Sequence, residues 1–203
     1  QATGLEVTGS SFTGLLGGIY VNPGMTGLSV TGNTFANNGN GMNIDGPNVT
    51  GDISGNSFAD SVGAHIGMGT WTSGTLDAGA LVGSNTFSGT SIPTSIYGTG
   101  GADELIGTEE VNSFFAYGGN DTIRAEADDR VDGGAGTDVL LLAEGTTAED
   151  IAGMTITDVE AIGVEGAPGE GTTWYVTEGM SIQAAITAAA AGDTSVLGAC
   201  TFS

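Results

Sequence analysis

The residues best suited to chemistry are a series of carboxylates and one amide, each two places before an apolar residue. They are Asp103-x-Leu105, Asn112-x-Phe114, Asp121-x-Ile123, Asp129-x-Val131 and Asp138-x-Leu140, with steps of 9, 9, 8 and 9 residues. Gly98, Gly101, Gly119, Gly133 and Gly136 are interspersed with them. Glycine lets the backbone turn with positive φ, so that carbonyls can point at an ion. Calcium, a hard cation, takes roughly six to eight oxygens from carboxylates and carbonyls. The apolar residue two places on falls on the same side of a short strand and can face a core. The pattern therefore predicts oxygen ligation of calcium.

Two nine-residue units make one coil, so loops about 18 residues apart stack: Asp103 over Asp121, Asp121 over Asp138, and Asn112 over Asp129. Stacked strands lie roughly 4.8 Å apart. Two carboxylates at that separation repel by roughly 3 kcal/mol at an effective dielectric of 20. A bare acidic stack opposes its own fold, and a divalent cation reverses the sign. Firm sites are expected at Asp103/Asp121 and Asp121/Asp138, and a weak or empty one at Asn112/Asp129, where the glycines are gone. A flexible acidic loop is the competing reading, but it does not account for an apolar residue in phase with every step.

Gly133–Leu141 follows the nonapeptide G-G-x-G-x-D-x-U-x in full, and Gly98–Ile106 departs from it only at Thr99. The unit ending at Asp121 has Ala116 and Tyr117 in its first two places. Residues 98–142 resemble the calcium-binding repeats of the repeats-in-toxin (RTX) family. The resemblance implies a calcium-binding β-roll, Ca2+ as structural ligand, and an extracellular or cell-surface location.

The elements that position this stretch are legible on both sides. Residues 1–97 repeat VTGSSF (7–12), VTGNTF (30–35), ISGNSF (53–58) and VGSNTF (82–87). A period near 23 with short β segments and Gly/Asn turns predicts a coiled solenoid whose units are stable only when stacked. Inward ladders are expected at Val7/Val30/Ile53/Val82, at Phe12/Phe35/Phe58/Phe87 and at Val21/Ile44/Ile66. Asn33, Asn56 and Asn85 stack in register, with Ser10 ahead of them. The pattern resembles the right-handed parallel β-helix of the pectate-lyase-like superfamily. Residues 67–80 are expected to protrude as a loop with Trp71 near its tip. Residues 143–166 read as a closing coil. Residues 167–203 read as a linker, a capping helix with Ser181 as N-cap and Ile182, Ala185, Ile186 and Ala189 on its packed face, and the first strand of a following β-helix. The expected fold is all-β: a right-handed parallel β-helix continuing into a calcium-binding β-roll, with one short capping α-helix near the C-terminus.

Composition narrows the function classes. Gly is 38 of 203 residues, and Lys plus Arg is 2 against 24 Asp plus Glu, a net charge of −22. Such a field repels nucleic acid and anionic membranes and attracts cations. Thirteen of the acids lie in residues 98–150 and 5 in residues 1–97. There is no run of apolar residues long enough to span a membrane. Cys200 is the only cysteine, so no intrachain disulfide can form. Uronate chemistry needs a cation beside its base, yet residues 1–97 carry no Lys or Arg. Tyr20, Asn43 and His65 are read as one outward ladder that could contact a ligand or partner, and Trp71 as an aromatic that could stack on a sugar or a protein. The first expectation is a non-enzymatic, calcium-stabilised structural or adhesive segment that self-associates or binds another surface protein or a polysaccharide. The alternative is a module of a polysaccharide lyase, epimerase or hydrolase.

Overall fold

The structure is a computed structural model that describes residues 4–46, 48–70, 72–167, 170–176, 181–190 and 193–197. Short strands separated by tight turns stack coil upon coil. One face of the first half carries Glu6–Thr8, Leu28–Thr31 and Gly51–Ser54, in parallel register. A second carries Ser11–Thr13, Thr34–Ala36, Ser57–Ala59 and Thr86–Ser88. The third begins at Gly17–Val21 and runs through Asn40–Asp45, Ile66–Gly69, Thr94–Tyr97, Asn112–Phe115, Arg130–Asp132 and Thr155–Thr157. It passes from the solenoid into the acidic stretch without interruption. Facing it in the second half is a sheet of Thr75–Asp77, Glu104–Ile106, Thr122–Ala125, Val139–Leu142, Ala161–Val164, Thr173–Val176 and Thr194–Leu197. The molecule is thus a right-handed parallel β-helix that narrows from three faces to two and becomes a β-roll.

The valine and phenylalanine ladders read from the sequence form in register and line the core. Val7, Val30 and Ile53 pair in register, and Val82 bridges to Ile53. Phe12, Phe35, Phe58 and Phe87 stack with ring centroids 4.9, 4.7 and 5.4 Å apart. Burying each such ring contributes about 1.5–3 kcal/mol, and stacking adds about 0.5–1.5 kcal/mol per pair. Leu105, Phe114, Ile123, Val131 and Leu140 are all buried and belong to the same continuous apolar core.

Asparagines close the turns between the first two faces. The N–H groups of Ser10, Asn33 and Asn56 donate to Oδ1 of Asn33, Asn56 and Asn85 on the following coil, at 2.9, 2.9 and 3.0 Å. Their amides also bond to one another, Asn33 Nδ2 to Asn56 Oδ1 and Asn56 Nδ2 to Asn85 Oδ1, each at 3.0 Å. Nδ2 of Asn33, Asn56 and Asn85 donates in addition to the carbonyls of Val7, Val30 and Ile53. A backbone that leaves one strand for the next has orphan polar groups, and these side chains satisfy them. Asn38 builds a further rung, unread in the sequence, through Leu15 N–H and the Phe12 carbonyl.

Four expectations are corrected. Residues 67–80 are not one protruding loop, because Ile66–Gly69 and Thr75–Asp77 are strands with Leu76 and Ala78 buried. Residue 66 does not extend the Val21/Ile44 ladder: Ile44 pairs with Met68, and Ile66 pairs with Met42. Phe58 precedes Met68 by ten residues where Phe35 precedes Ile44 by nine, and the expected Ile66 would have needed eight; the observed partner therefore lies two residues beyond the expected one, which keeps inward residues inward. A helix α1 (Ala148–Gly153), closed by a Thr147/Asp150 capping box, interrupts the predicted closing coil. The terminal helix α2 (Ile182–Ala188) is capped by Ser181 as expected, but it packs through Ala184 and Ala185 while Ile186 is exposed. It lies against Ala161 and Trp174 of the roll, and Thr173–Val176 and Thr194–Leu197 extend the same sheet. Cys200 and residues 198–203 lie outside the described residues.

Candidate metal centre

The acidic series stands where each coil enters the second sheet. Asp103, Asp121 and Asp138 lie one residue before paired strands, and Glu160 takes the equivalent place on the next coil. Gly74 N–H donates to Asp103 Oδ1 at 2.8 Å, Asp103 N–H to Asp121 Oδ1 at 2.7 Å, Asp121 N–H to Asp138 Oδ1 at 2.8 Å, and Asp138 N–H to Glu160 Oε2 at 2.6 Å. This is the bond made by the asparagine rungs of the first half, with carboxylates in place of amides.

An amide has a donor to place opposite a carbonyl, but a carboxylate has a second acceptor. Oδ2 of Asp121 and Oδ2 of Asp138 are buried and have no hydrogen-bond partner. Asp121 is 1% exposed and Asp138 is fully buried. Burial raises the Asp121 carboxyl to about 6; its bond from Asp103 N–H opposes the rise, and the charges of Asp138 and Asp103 add to it. Asp138 is raised in the same way, first by burial, with Glu160 and Asp158 adding repulsion. Asp103 differs, because Thr99 donates its N–H at 2.7 Å and its hydroxyl at 2.8 Å to Asp103 Oδ2. Thr99 is the one departure from the nonapeptide in that unit, and it satisfies the oxygen that the other two leave open.

Four of the five glycines wall this stack, while a Cβ on Gly101 would strike the Ser73 hydroxyl. A Cβ on Gly98 would lie 2.8 Å from the Ala116 carbonyl oxygen and 3.1 Å from Asp103 Oδ2. On Gly119 (φ +121) it would meet the Gly101 carbonyl at 2.7 Å, and on Gly136 (φ +152) it would strike the Gly119 carbonyl. On Gly133 it would strike the Asp158 carbonyl and lie 3.0 Å from Asp138 Oδ2. Gly118–Gly119 and Ala135–Gly136 even pair as a short parallel ladder. Among the described residues, no group of three or more His, Cys, Asp or Glu side chains gathers at one point. Each coil supplies one carboxylate, so an ion here would need backbone carbonyls to complete its shell. Hard-cation chemistry suits that donor set.

The opposite edge is different. Asn112 N–H donates to Asp129 Oδ1 at 2.6 Å, and Asn112 Oδ1 accepts from Thr108 N–H and hydroxyl at 3.3 and 3.0 Å. Asn112 Nδ2 donates to the Thr108 and Glu110 carbonyls, and Asp129 Oδ2 accepts from Glu126 N–H at 2.8 Å. Every polar atom of the pair is used. Asp129 still rises to about 6, mainly through burial, with hydrogen bonds from Glu126 and Asn112 opposing.

The other candidate residues separate. Tyr20 pairs with Asn43, but Asn43 pairs with Gly67, not with His65. His65 is fully buried, its Nδ1 is 2.9 Å from Ser61 Oγ, and its ring lies tilted beside the stacked pair Phe58 and Phe87. Burial lowers its pKa. His65 is therefore not an outward contact residue. Trp71 lies outside the described residues. Asn43 instead borders a surface groove of about 510 Å³ with a glycine floor, Gly67 and Gly69, flanked by Asp45, Tyr97 and Tyr117. Tyr97 stacks on Phe115 and Tyr117, with centroids 5.3 and 6.4 Å apart. The sequence reading also missed Thr99 as a donor and Glu160 as a rung. Only the alignment of ITDVEAI (156–162) with earlier coils could have found Glu160, and a four-residue departure in spacing hides it.

Residues 97–129 and 125–146 match the RTX calcium-binding nonapeptide repeat (4 copies), a family whose repeats bind Ca2+. The match covers about a quarter of the chain and coincides with the carboxylate stack. Neither a curated protein nor a solved structure matches the chain. No helix among the described residues is long and apolar enough to cross a membrane.

Proposed function

We propose that this chain is a calcium-stiffened structural or adhesive segment of a secreted or cell-surface protein. The observation that carries the reading is the pair of buried, unpartnered oxygens, Asp121 Oδ2 and Asp138 Oδ2, one coil apart in glycine loops. Asp121, Asp138 and the glycine carbonyls around them hold the ions. Asp103 contributes less than its position promises, because Thr99 already occupies Oδ2. Asn112 and Asp129 need no ion. Bound calcium neutralises the stack, and the protein's own groups fix its loops, so ion binding and ordering of the roll are one event. Affinity near 10⁻⁴–10⁻³ M, as is usual for extracellular modules, would leave the roll loose in low calcium and stiff outside a cell. The pectate-lyase-like character of the flanks rests on their coil pattern.

Amide hydrogen exchange on the full chain, in calcium and in chelator, tests this reading. Residues 104–142 should be protected only in calcium, while residues 28–69 stay protected in both. Equal protection of the roll in chelator would refute it.

A second reading, a module that contacts polysaccharide, is favoured by the groove at Asn43, Asp45, Tyr97 and Tyr117. Stacked tyrosines beside amide and carboxylate groups suit a neutral sugar, and the absence of a cationic side chain from its lining disfavours an anionic one. Binding of neutral oligosaccharides that Tyr97→Ala abolishes would support it. Binding unaffected by that change would exclude this groove.

A further inference from the structure

We propose that the roll carries one calcium site more than its nonapeptides encode, between Asp138 and the coil bearing Asp158 and Glu160. The proposal rests on the calcium reading above and extends it past residue 146, where the repeat match ends.

The geometry of a repeat coil is reproduced here by residues that do not spell a repeat. In the first coil Gly98 approaches the Ala116 carbonyl of the next coil and Asp103 Oδ2, and Asp103 N–H bonds to Asp121 Oδ1. In the last coil Gly133 approaches the Asp158 carbonyl of the next coil and Asp138 Oδ2, and Asp138 N–H bonds to Glu160 Oε2. Gly98 and Ala116 stand in one column with Gly133 and Asp158, as the bonds from Gly98, Ala116 and Gly133 N–H to the carbonyls of Phe115, Asp132 and Thr157 show. Glu160 stands in the column of Asp103, Asp121 and Asp138, because Ala161 pairs with Val139 as Val139 pairs with Thr122.

Two carboxylates alone would not make a site. The independent observation is Asp138 Oδ2, which is fully buried, lacks a partner, and lies on the Gly133 side against the Asp158 loop. In the first coil the corresponding oxygen of Asp103 is bound by Thr99. Here Gly134 stands in the place of Thr99 and has no hydroxyl, no N–H reaches the oxygen either, and it lies against the Asp158 carbonyl. Arg124 is engaged by Glu104 and Glu165 and does not pair with Asp138. The donor set is therefore carboxylate and carbonyl oxygen, suited to a hard divalent cation. The Glu160 carbonyl also accepts from Ser181 N–H, the cap of α2, so this ion would tie the terminal helix to the roll.

Equilibrium dialysis of the full chain against calcium counts the sites. Glu160→Gln keeps an acceptor for Asp138 N–H and removes the charge. It should bind one ion fewer than wild type and leave the affinities of the others unchanged. Glu144→Gln, at an exposed acid, should keep the full count. An unchanged count and affinity in Glu160→Gln would overturn the extra site while leaving the calcium reading intact, whereas wild type that binds no calcium would remove both. If Glu160→Gln fails to fold, Glu160→Asp, which retains the charge, is followed by native mass spectrometry during chelator titration. One ion should leave earlier than in wild type, and simultaneous release at wild-type chelator concentration would overturn the proposal.

Discussion

Asp121→Asn should make the calcium-free protein more stable and the calcium-bound protein less so. The asparagine keeps an Oδ1 for Asp103 N–H, the 2.7 Å bond that holds adjacent coils in register. It replaces the unpartnered Oδ2 with a donor, as at Asn33, Asn56 and Asn85 in the first half. The Asp121 carboxyl is raised from 3.8 to about 6 and the residue is 1% exposed. A rise of about two pKa units corresponds to roughly 3 kcal/mol disfavouring the charged form at neutral pH. Removing that charge should recover about 1–3 kcal/mol in chelator, the lower figure applying if Nδ2 finds no carbonyl as good as Val30's. On the proposed calcium reading the same change also removes a ligand. Urea unfolding followed by circular dichroism gives both numbers: in chelator the Asp121→Asn midpoint should lie above wild type, and the calcium-induced gain should shrink. A variant as destabilised in chelator as Asp121→Ala, or one that gains as much from calcium as wild type, would refute the claim that this stack is held apart by its own charge.

The reciprocal exchange, Asn56→Asp, should destabilise the first half by about 1–3 kcal/mol, because it leaves the Val30 carbonyl without its donor; calcium should not rescue the urea midpoint. Asp129→Asn should leave bound calcium unchanged by dialysis, since Asp129 already has partners for both oxygens. Acid should partly substitute for calcium: Asp121 and Asp129 have folded pKa values near 6 against 3.8 unfolded, so their contribution is present below about pH 4 and lost as pH rises through about 6. Chelated protein should therefore show a more protected roll at pH 5 than at pH 7.5 by amide exchange corrected for its intrinsic pH dependence. His65 acts oppositely, because its lowered pKa removes stability as pH falls through about 6.5, by at most about 1.4 kcal/mol per pH unit; His65→Gln should flatten that slope in the first half only. Gly136→Ala should disorder the roll even in calcium, since its Cβ would strike the Gly119 carbonyl, and circular dichroism should show the lost β signal.

The stacking order was readable because each rung repeats a side chain with one job. Phenylalanines 23 residues apart can bury their rings only by stacking, and Asn33, Asn56 and Asn85 recur where a strand ends and its N–H needs an acceptor. The register after Phe58 was not readable. A two-residue shift preserves the inward and outward parity of a strand, so alternation alone cannot tell Ile44/Ile66 from Ile44/Met68. That ambiguity placed His65 level with Asn43, whereas it stands in the Gly18/Gly41 column just ahead of the strand, where a side chain meets the phenylalanine stack, here Phe58 and Phe87. The strand Thr75–Asp77 was hidden because glycine, threonine and serine surround a lone inward Leu76. In α2 the alanines pack and Ile186 does not, because only small side chains let the helix lie close to Ala161 and Trp174. The acidic series was legible residue by residue, but its inequality was not: Thr99 hydrogen bonds distinguish Asp103 from Asp121 and Asp138.

One hydrogen-bond device therefore runs the length of the molecule with two chemistries. In residues 10–85 the acceptor is an amide whose second group is a donor, so the rung is complete without help. In residues 103–160 it is a carboxylate, and at Asp121 and Asp138 the second oxygen stays open. The strands Ile66–Gly69, Thr94–Tyr97 and Asn112–Phe115 pair directly, so the sheet of the first half presents an edge on which the more acidic half can form. Long-range parallel pairing forms slowly because loop closure precedes the contacts that reward it. A preformed edge shortens that step to the addition of one coil at a time. The coils with amide rungs thus supply the register, and on the proposed reading calcium decides whether the coils beyond them add to it.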